Sequence, residues 1–316
     1  MLNRRHLRIK VLQALYAWFQ GSDGDFGKSE KELMKSIDKI YDLYVLYLLF
    51  LVDIRQHAIN KIEEGRNKKL PRPEDLDPNT KFVDNKVLEL LSDNRNLLAE
   101  SSKRKLNWMR DQDLVRKIFN DIRNSELYTK YMNDPGRGFD MDQDFLVHLF
   151  KEEIANSETL LNHLEEMSIN WMDDIDLVCS TVIKTIKGFN PNSDEFAKLS
   201  PLYKDPEDDE KFVRDLFKRS VILNEETEAL ISSKTENWEL ERIASMDMLL
   251  MKMAITEVLE FSTIPVKVTL NEYIEISKFY STPKSNGFIN GILDKVFLQL
   301  KTDNRIKKIG RGLLEG

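Results

Sequence analysis

The chain has 316 residues, 41% hydrophobic and 32% charged, with a formal charge of −7; that is enough for one large or two ordinary domains, each with a real core. Its twelve glycines and nine prolines fall below average usage of about 7% and 5%, while Leu, Lys, Glu, Ile and Asp dominate, which predicts helix. A single cysteine, Cys179, excludes an internal disulfide framework and predicts a reducing, cytoplasmic setting.

The first predicted helix spans about 4–20. No acidic residue precedes Asp23, whereas Arg4, Arg5, Arg8 and Lys10 carry four positive charges, leaving −11 on the remainder. Leu7, Val11, Ala14, Leu15, Trp18 and Phe19 mark the inward face, which predicts that the arginines point outward. Cations in a first turn oppose the helix dipole by roughly 0.3–1 kcal/mol each when exposed. An external polyanion would relieve that cost, although the same charges also fit a solvated basic terminus. The N-terminus lacks the apolar core and cleavage site of a secretory signal.

GSDGDFGKS at 21–29 approaches a phosphate-binding loop, but its glycine spacing is wrong and helix precedes it where the motif needs a strand. Residues 28–64 read as one or two long helices. The apolar run Leu43 to Val52 within them is too short for a membrane span of about 20 residues and predicts a buried core helix. A Pro-rich connection at 65–80, helix at about 82–132, a turn at 133–138 (NDPGRG) and a boundary at 190–210 follow. These breaks predict an N-terminal helical region, 1–206, and a C-terminal helical domain, 207–316.

Residues 142–171 match 209–238 at a constant offset of 67, pairing Asp142 with Asp209, Phe145 with Phe212, Leu149-Phe150-Lys151 with Leu216-Phe217-Lys218, and Asn170-Trp171 with Asn237-Trp238. Asn107-Trp108 is a weaker echo. Amphipathic helices share such a period by chance; the alternative is a degenerate copy of one helical unit. The copy would place the three tryptophans alike, each at least partly buried.

From Asn237 to Lys295 the polar residues are spaced as on a displayed surface. Ile243, Met246, Leu250, Met253, Ala254 and Val258 form one core stripe. Thr269 with Glu272 reads as a capping box for the next helix, with Leu270, Tyr273, Ile274 and Ser277 inward. The last helix carries Phe288, Ile289, Ile292, Leu293 and Val296 inside, with Gly291 where a neighbouring backbone could come close. Its N-terminus after Ser285, beside Lys284, offers a second anion-friendly place. Phe288 is able to stack on an unpaired base.

No catalytic constellation emerges. His6, His57, His148 and His163 have neither HExxH spacing nor cysteine companions, so no metal site is read. Acidic pairs such as Glu152-Glu153 and Asp173-Asp174 read as solvated faces, and no dinucleotide fingerprint predicts a cofactor.

The order NWxxER, a methionine-rich helix ending in Glu257, IPxKVxxNExxExxK and then FxNGxLDK resembles the C-terminal half of the NusB family. NRRHLRIKVLQALYAWFQ is similar to that family's basic first helix. Together these cover residues 1–20 and about 207–300; residues 21–206 have no counterpart in compact members. The resemblance implies an all-α fold and a non-enzymatic, RNA-binding transcription antitermination factor. Its implied partners are the boxA element of nascent ribosomal RNA, the ribosomal protein NusE and the elongating RNA polymerase complex. On the RNA side it implies Arg4, Arg5, Arg8, Lys284, Ser285 and Phe288, with Asn290 structural; on the NusE side it implies Tyr16, Glu241 and Asp247. His6 stands where compact relatives often have arginine, and Lys284 where some are acidic. NusB-like domains also occur fused to ribosomal RNA cytosine methyltransferases, and a helical protein scaffold without RNA binding is a third reading.

Overall fold

The computed structural model describes residues 1–21, 24–235 and 243–314. In chain order its helices are α1 (Arg4–Gln20), α2 (Phe26–Arg66), α3 (Pro73–Leu76), α4 (Lys86–Asp93), α5 (Arg95–Arg104), α6 (Gln112–Asn124), α7 (Glu126–Asn133), α8 (Phe139–Leu149), α9 (Glu158–Met167), α10 (Ile175–Gly188), α11 (Pro206–Ile222), α12 (Asn224–Ser232), α13 (Ser245–Glu260), α14 (Val266–Tyr280) and α15 (Ser285–Thr302). The fold is all-α, with no strand among the described residues. None of their helices is long and apolar enough to cross a membrane.

The chain divides into two compact units: Met1 with Asp38–Leu202, and Leu2–Ile37 with Tyr203–Gly316. The later division falls close to the expected boundary, but helix α1 belongs with the second unit and not with the bulk of the inserted helices, meeting only the start of α2 where Trp18 packs edge-on against Phe26. It packs on α11 and α13, with a smaller contact to α14.

In the first unit, Leu43 through Leu51 of α2 are all buried, as expected of an element covered on every side. The Trp108 and Trp171 indoles are buried and donate to the α2 carbonyls of Leu46 and Lys39, at 2.9 and 2.8 Å. Those acceptors lie two turns apart on one face. Asn237-Trp238, the third member of the expected series, lies outside the described residues. Asp142 is buried and accepts from Tyr131 Oη at 2.6 Å and from the Lys86 amide at 2.9 Å.

The second unit is built on α13, buried almost without interruption from Leu249 to Val258. Helix α11 starts where Asp205 accepts from the Asp208 amide, with Pro206 next and three acidic residues in the first turn. Helix α14 starts at Val266, after Pro265, three residues before the expected capping box. Thr269 is therefore one full turn inside, and the inward face is Thr269, Tyr273, Ile276 and Ser277. Gly291 has open space around it; the close approach occurs at Gly312, where a Cβ would stand 2.0 Å from the Ser262 carbonyl oxygen.

Candidate nucleic-acid interface

Helix α1 opens at Asn3, whose side chain accepts from the Arg5 and His6 amides at 2.9 and 3.1 Å. The His6 Nδ1 accepts in return from the Asn3 amide at 3.4 Å. With no acidic residue in its first turn, the helix borrows carboxylates from its neighbours. Arg4 pairs with Asp208 and, at 3.1 Å, with Asp209 on α11, its guanidinium 4.3 Å above the Phe212 ring. Arg5 makes a bidentate pair with Glu272 on α14, at 2.9 and 2.8 Å. These carboxylates offset the dipole cost that would otherwise favour an external anion.

Arg8 does not point outward. Its side chain is 2% exposed, against 40% for Arg5 and 31% for Arg4. It donates twice to the fully buried Glu257 of α13, each bond 2.7 Å. Glu257 also accepts from Thr269 Oγ1 at 2.7 Å and Tyr273 Oη at 3.2 Å, so four donors serve its two oxygens. Burial opposes the Arg8 charge, but the Glu257 carboxylate overcomes it and holds the guanidinium pKa above its ordinary value. The phase of α1 carried the signal: Arg8 precedes Val11, Leu12 and Leu15 by three, four and seven residues, which puts it inside the apolar stripe. Glu257, a lone acid between Leu250 and Val258 in an apolar helix, was the matching sign. Trp18 and Ala14 are only partly covered and Phe19 is exposed, whereas Lys10 and Leu12 are buried.

A groove of about 1160 Å³ opens beside this cluster, lined by Arg4, Arg5 and Arg8 from α1, Lys211 and Arg219 from α11, and Arg311 from the C-terminal tail, with Phe212 on its wall. Asp208, Asp215, Glu260 and Glu272 line it too, so the surface alternates in charge.

The other expected residues collect around the start of α15. Lys284 is exposed and Phe288 partly buried. Ser285 is buried, its hydroxyl 2.9 Å from Ser281 Oγ and 2.8 Å from Thr282 Oγ1. Ser281 in turn donates to Asp247. Asp247 is thus a buried anchor of the α14–α15 loop, not the surface carboxylate expected for partner binding, because its helix is covered on nearly every side. Asn290 donates to Asp294 at 3.2 Å. Tyr16 remains exposed beside Phe19 and Lys252, while Glu241 lies outside the described residues. Among the described residues no His, Cys, Asp and Glu side chains cluster as metal ligands.

A profile of the NusB family matches residues 183–297, so α1 falls outside the matched segment but is packed onto it. The chain is 43% identical over 114 residues to the transcription antitermination protein NusB of Salinibacter ruber, covering 36% of this chain and 71% of that protein. It is 45% identical over 97 residues to the protein of the same name from Chloroherpeton thalassium, and 44% over 70 residues to that of Natranaerobius thermophilus, covering 46% and 50% of those proteins. No solved structure matches the chain. Since the chain covers 71% of the Salinibacter protein at 43% identity, and the family profile spans the helices that hold Glu257, Glu272 and Lys284, the chain belongs to the NusB family.

Proposed function

We propose that the second unit binds single-stranded RNA of the boxA type, does so together with NusE, and thereby joins the elongating RNA polymerase complex as an antitermination factor for ribosomal RNA. The observation that carries this reading is the groove beside α1. Arg4 and Arg5 stand half-exposed there, oriented by Asp209 and Glu272, as a phosphate track needs rigidly held donors. Lys284 and Phe288 at the start of α15 extend the same family segment with one charge and one ring able to stack on a base. Tyr16 and the exposed Phe19 beside it form the surface offered to NusE, where an aromatic anchor suits a protein partner.

One observation favours a protein scaffold instead: all three arginines of α1 already have carboxylate partners. A methyltransferase role has no such support. Burial pushes the Cys179 thiol up to about 11, the wrong direction for a nucleophile.

Titration of the purified protein with boxA-like RNA, with and without NusE, tests the proposal. Binding is expected to weaken as salt rises and to tighten when NusE is added; Tyr16→Ala is expected to spare RNA binding and reduce the gain from NusE. An affinity indifferent to salt and to sequence would leave the scaffold reading ahead.

A further inference from the structure

We propose that, among the cations lining the groove beside α1, those which contribute to the salt dependence of RNA binding are Lys211 on α11 and Arg311 on the C-terminal tail, and not the arginines of α1; this rests on the RNA reading above. All of them line one groove, yet their electrostatic states differ. Arg4, Arg5 and Arg8 are matched to Asp208 and Asp209, Glu272 and Glu257, and Arg219 is 3.2 Å from Glu260. Lys211 and Arg311 are exposed and make no ion pair among the described residues. A phosphate that meets a neutral arginine–carboxylate pair keeps its condensed cation; one that meets an unpaired ammonium or guanidinium releases it. The paired arginines then orient the strand through hydrogen bonds, while the two unpaired groups supply the groove's share of counterion release.

The tail that carries Arg311 lies beyond the family segment, which ends at residue 297, and it is pinned in place. Lys308 Nζ donates to the Val258 and Phe261 carbonyls at the end of α13, both at 2.9 Å. The Ile309 amide donates to the Ser262 carbonyl at 3.0 Å. The contact of Gly312 with that same carbonyl leaves no room for a side chain. These contacts deliver Arg311 to the rim of the groove rather than leaving it on a free end.

The test is fluorescence anisotropy with a short labelled single-stranded RNA carrying a boxA-like sequence, titrated across a range of KCl concentrations. Lys211→Ala and Arg311→Ala are each expected to make the log–log salt slope shallower by about 0.7. The double variant Arg5→Ala/Glu272→Ala removes a charge pair as a neutral unit and is expected to leave the slope unchanged. Arg311→Lys should keep the wild-type slope. Gly312→Val should mimic Arg311→Ala although Arg311 is still present, because the tail can no longer lie on Ser262. Circular dichroism on each variant verifies folding. Wild-type binding with a slope that both alanine variants leave intact would overturn the assignment while sparing the RNA reading. The absence of any salt-dependent binding by the wild-type protein would overturn both.

Discussion

Arg8 and Glu257 are the residues whose role the structure changes most. A buried pair of this kind is tolerable because Thr269 and Tyr273 donate to the same carboxylate, leaving no charge or lone pair facing an apolar wall. Removing one partner is a different matter, since it strands the other in a medium that cannot solvate it. Arg8→Ala or Glu257→Leu is expected to cost about 3–5 kcal/mol in urea unfolding, with the double variant Arg8→Met/Glu257→Leu recovering most of the loss. A cost under about 1 kcal/mol for either single change would mean that water reaches the pair. Arg8→Ala is therefore a stability variant and not a probe of RNA contact. The same holds for Asp247, whose replacement by lysine would bury a charge under Ser281.

At the scale of an element, the first turn of α1 is a helix N-terminus built without acids. Its cap depends on a neutral imidazole, because His6 Nδ1 accepts from the Asn3 amide and cannot do so once protonated. Burial lowers the His6 pKa below its ordinary 6.5, and the neighbouring Arg5 charge adds to that effect; burial and Lys61 lower His57 likewise. The unfolded chain thus binds more protons than the folded one between the folded pKa values and 6.5, and stability rises with pH across that window. Unfolding free energy is expected to hold its full histidine contribution above about pH 6.5 and to lose it as pH falls through the folded values. Replacing His6 with Gln should flatten part of that slope in urea titrations repeated at several pH values; an unchanged slope would assign the effect to His57. Helices α8 and α11 also begin 67 residues apart, at Phe139 and Pro206, and each buries its fourth residue, Asp142 and Asp209. That agreement supports a degenerate copy, even though α8 passes into a π-helical turn at Phe150–Ile154 where α11 runs on.

At the scale of the whole molecule, the charge is unevenly shared. The second unit is balanced, and the entire formal charge of −7 belongs to the first. A polyanion is accordingly steered away from residues 38–202 and toward the unit that holds α1, α11 and the tail. Ultraviolet cross-linking of bound RNA followed by peptide mapping is expected to mark segments within 2–37 and 203–314. Cross-links confined to 38–202 would reject the assignment of RNA to the second unit.

Composition and apolar period alone determined the helical class, the buried run of α2, the core of α13 and most of that of α15, because those features depend only on which residues must leave water. Motif order alone also led to the family. Which unit receives α1 was decided by tertiary packing, since residues 21–206 separate it from its partners and local pattern carries no record of such distant pairing. The same packing set the fates of three arginines within five residues of one another. Arg8 is taken inward by Glu257, Arg4 and Arg5 are held at the surface by carboxylates on α11 and α14, and every one of those partners lies more than 200 residues along the chain from its arginine. The start of α14 followed a local rule read at the wrong residue: Pro265 sets the N-terminus, and Thr269, polar and correctly spaced for a cap, is used instead to satisfy Glu257 in the core.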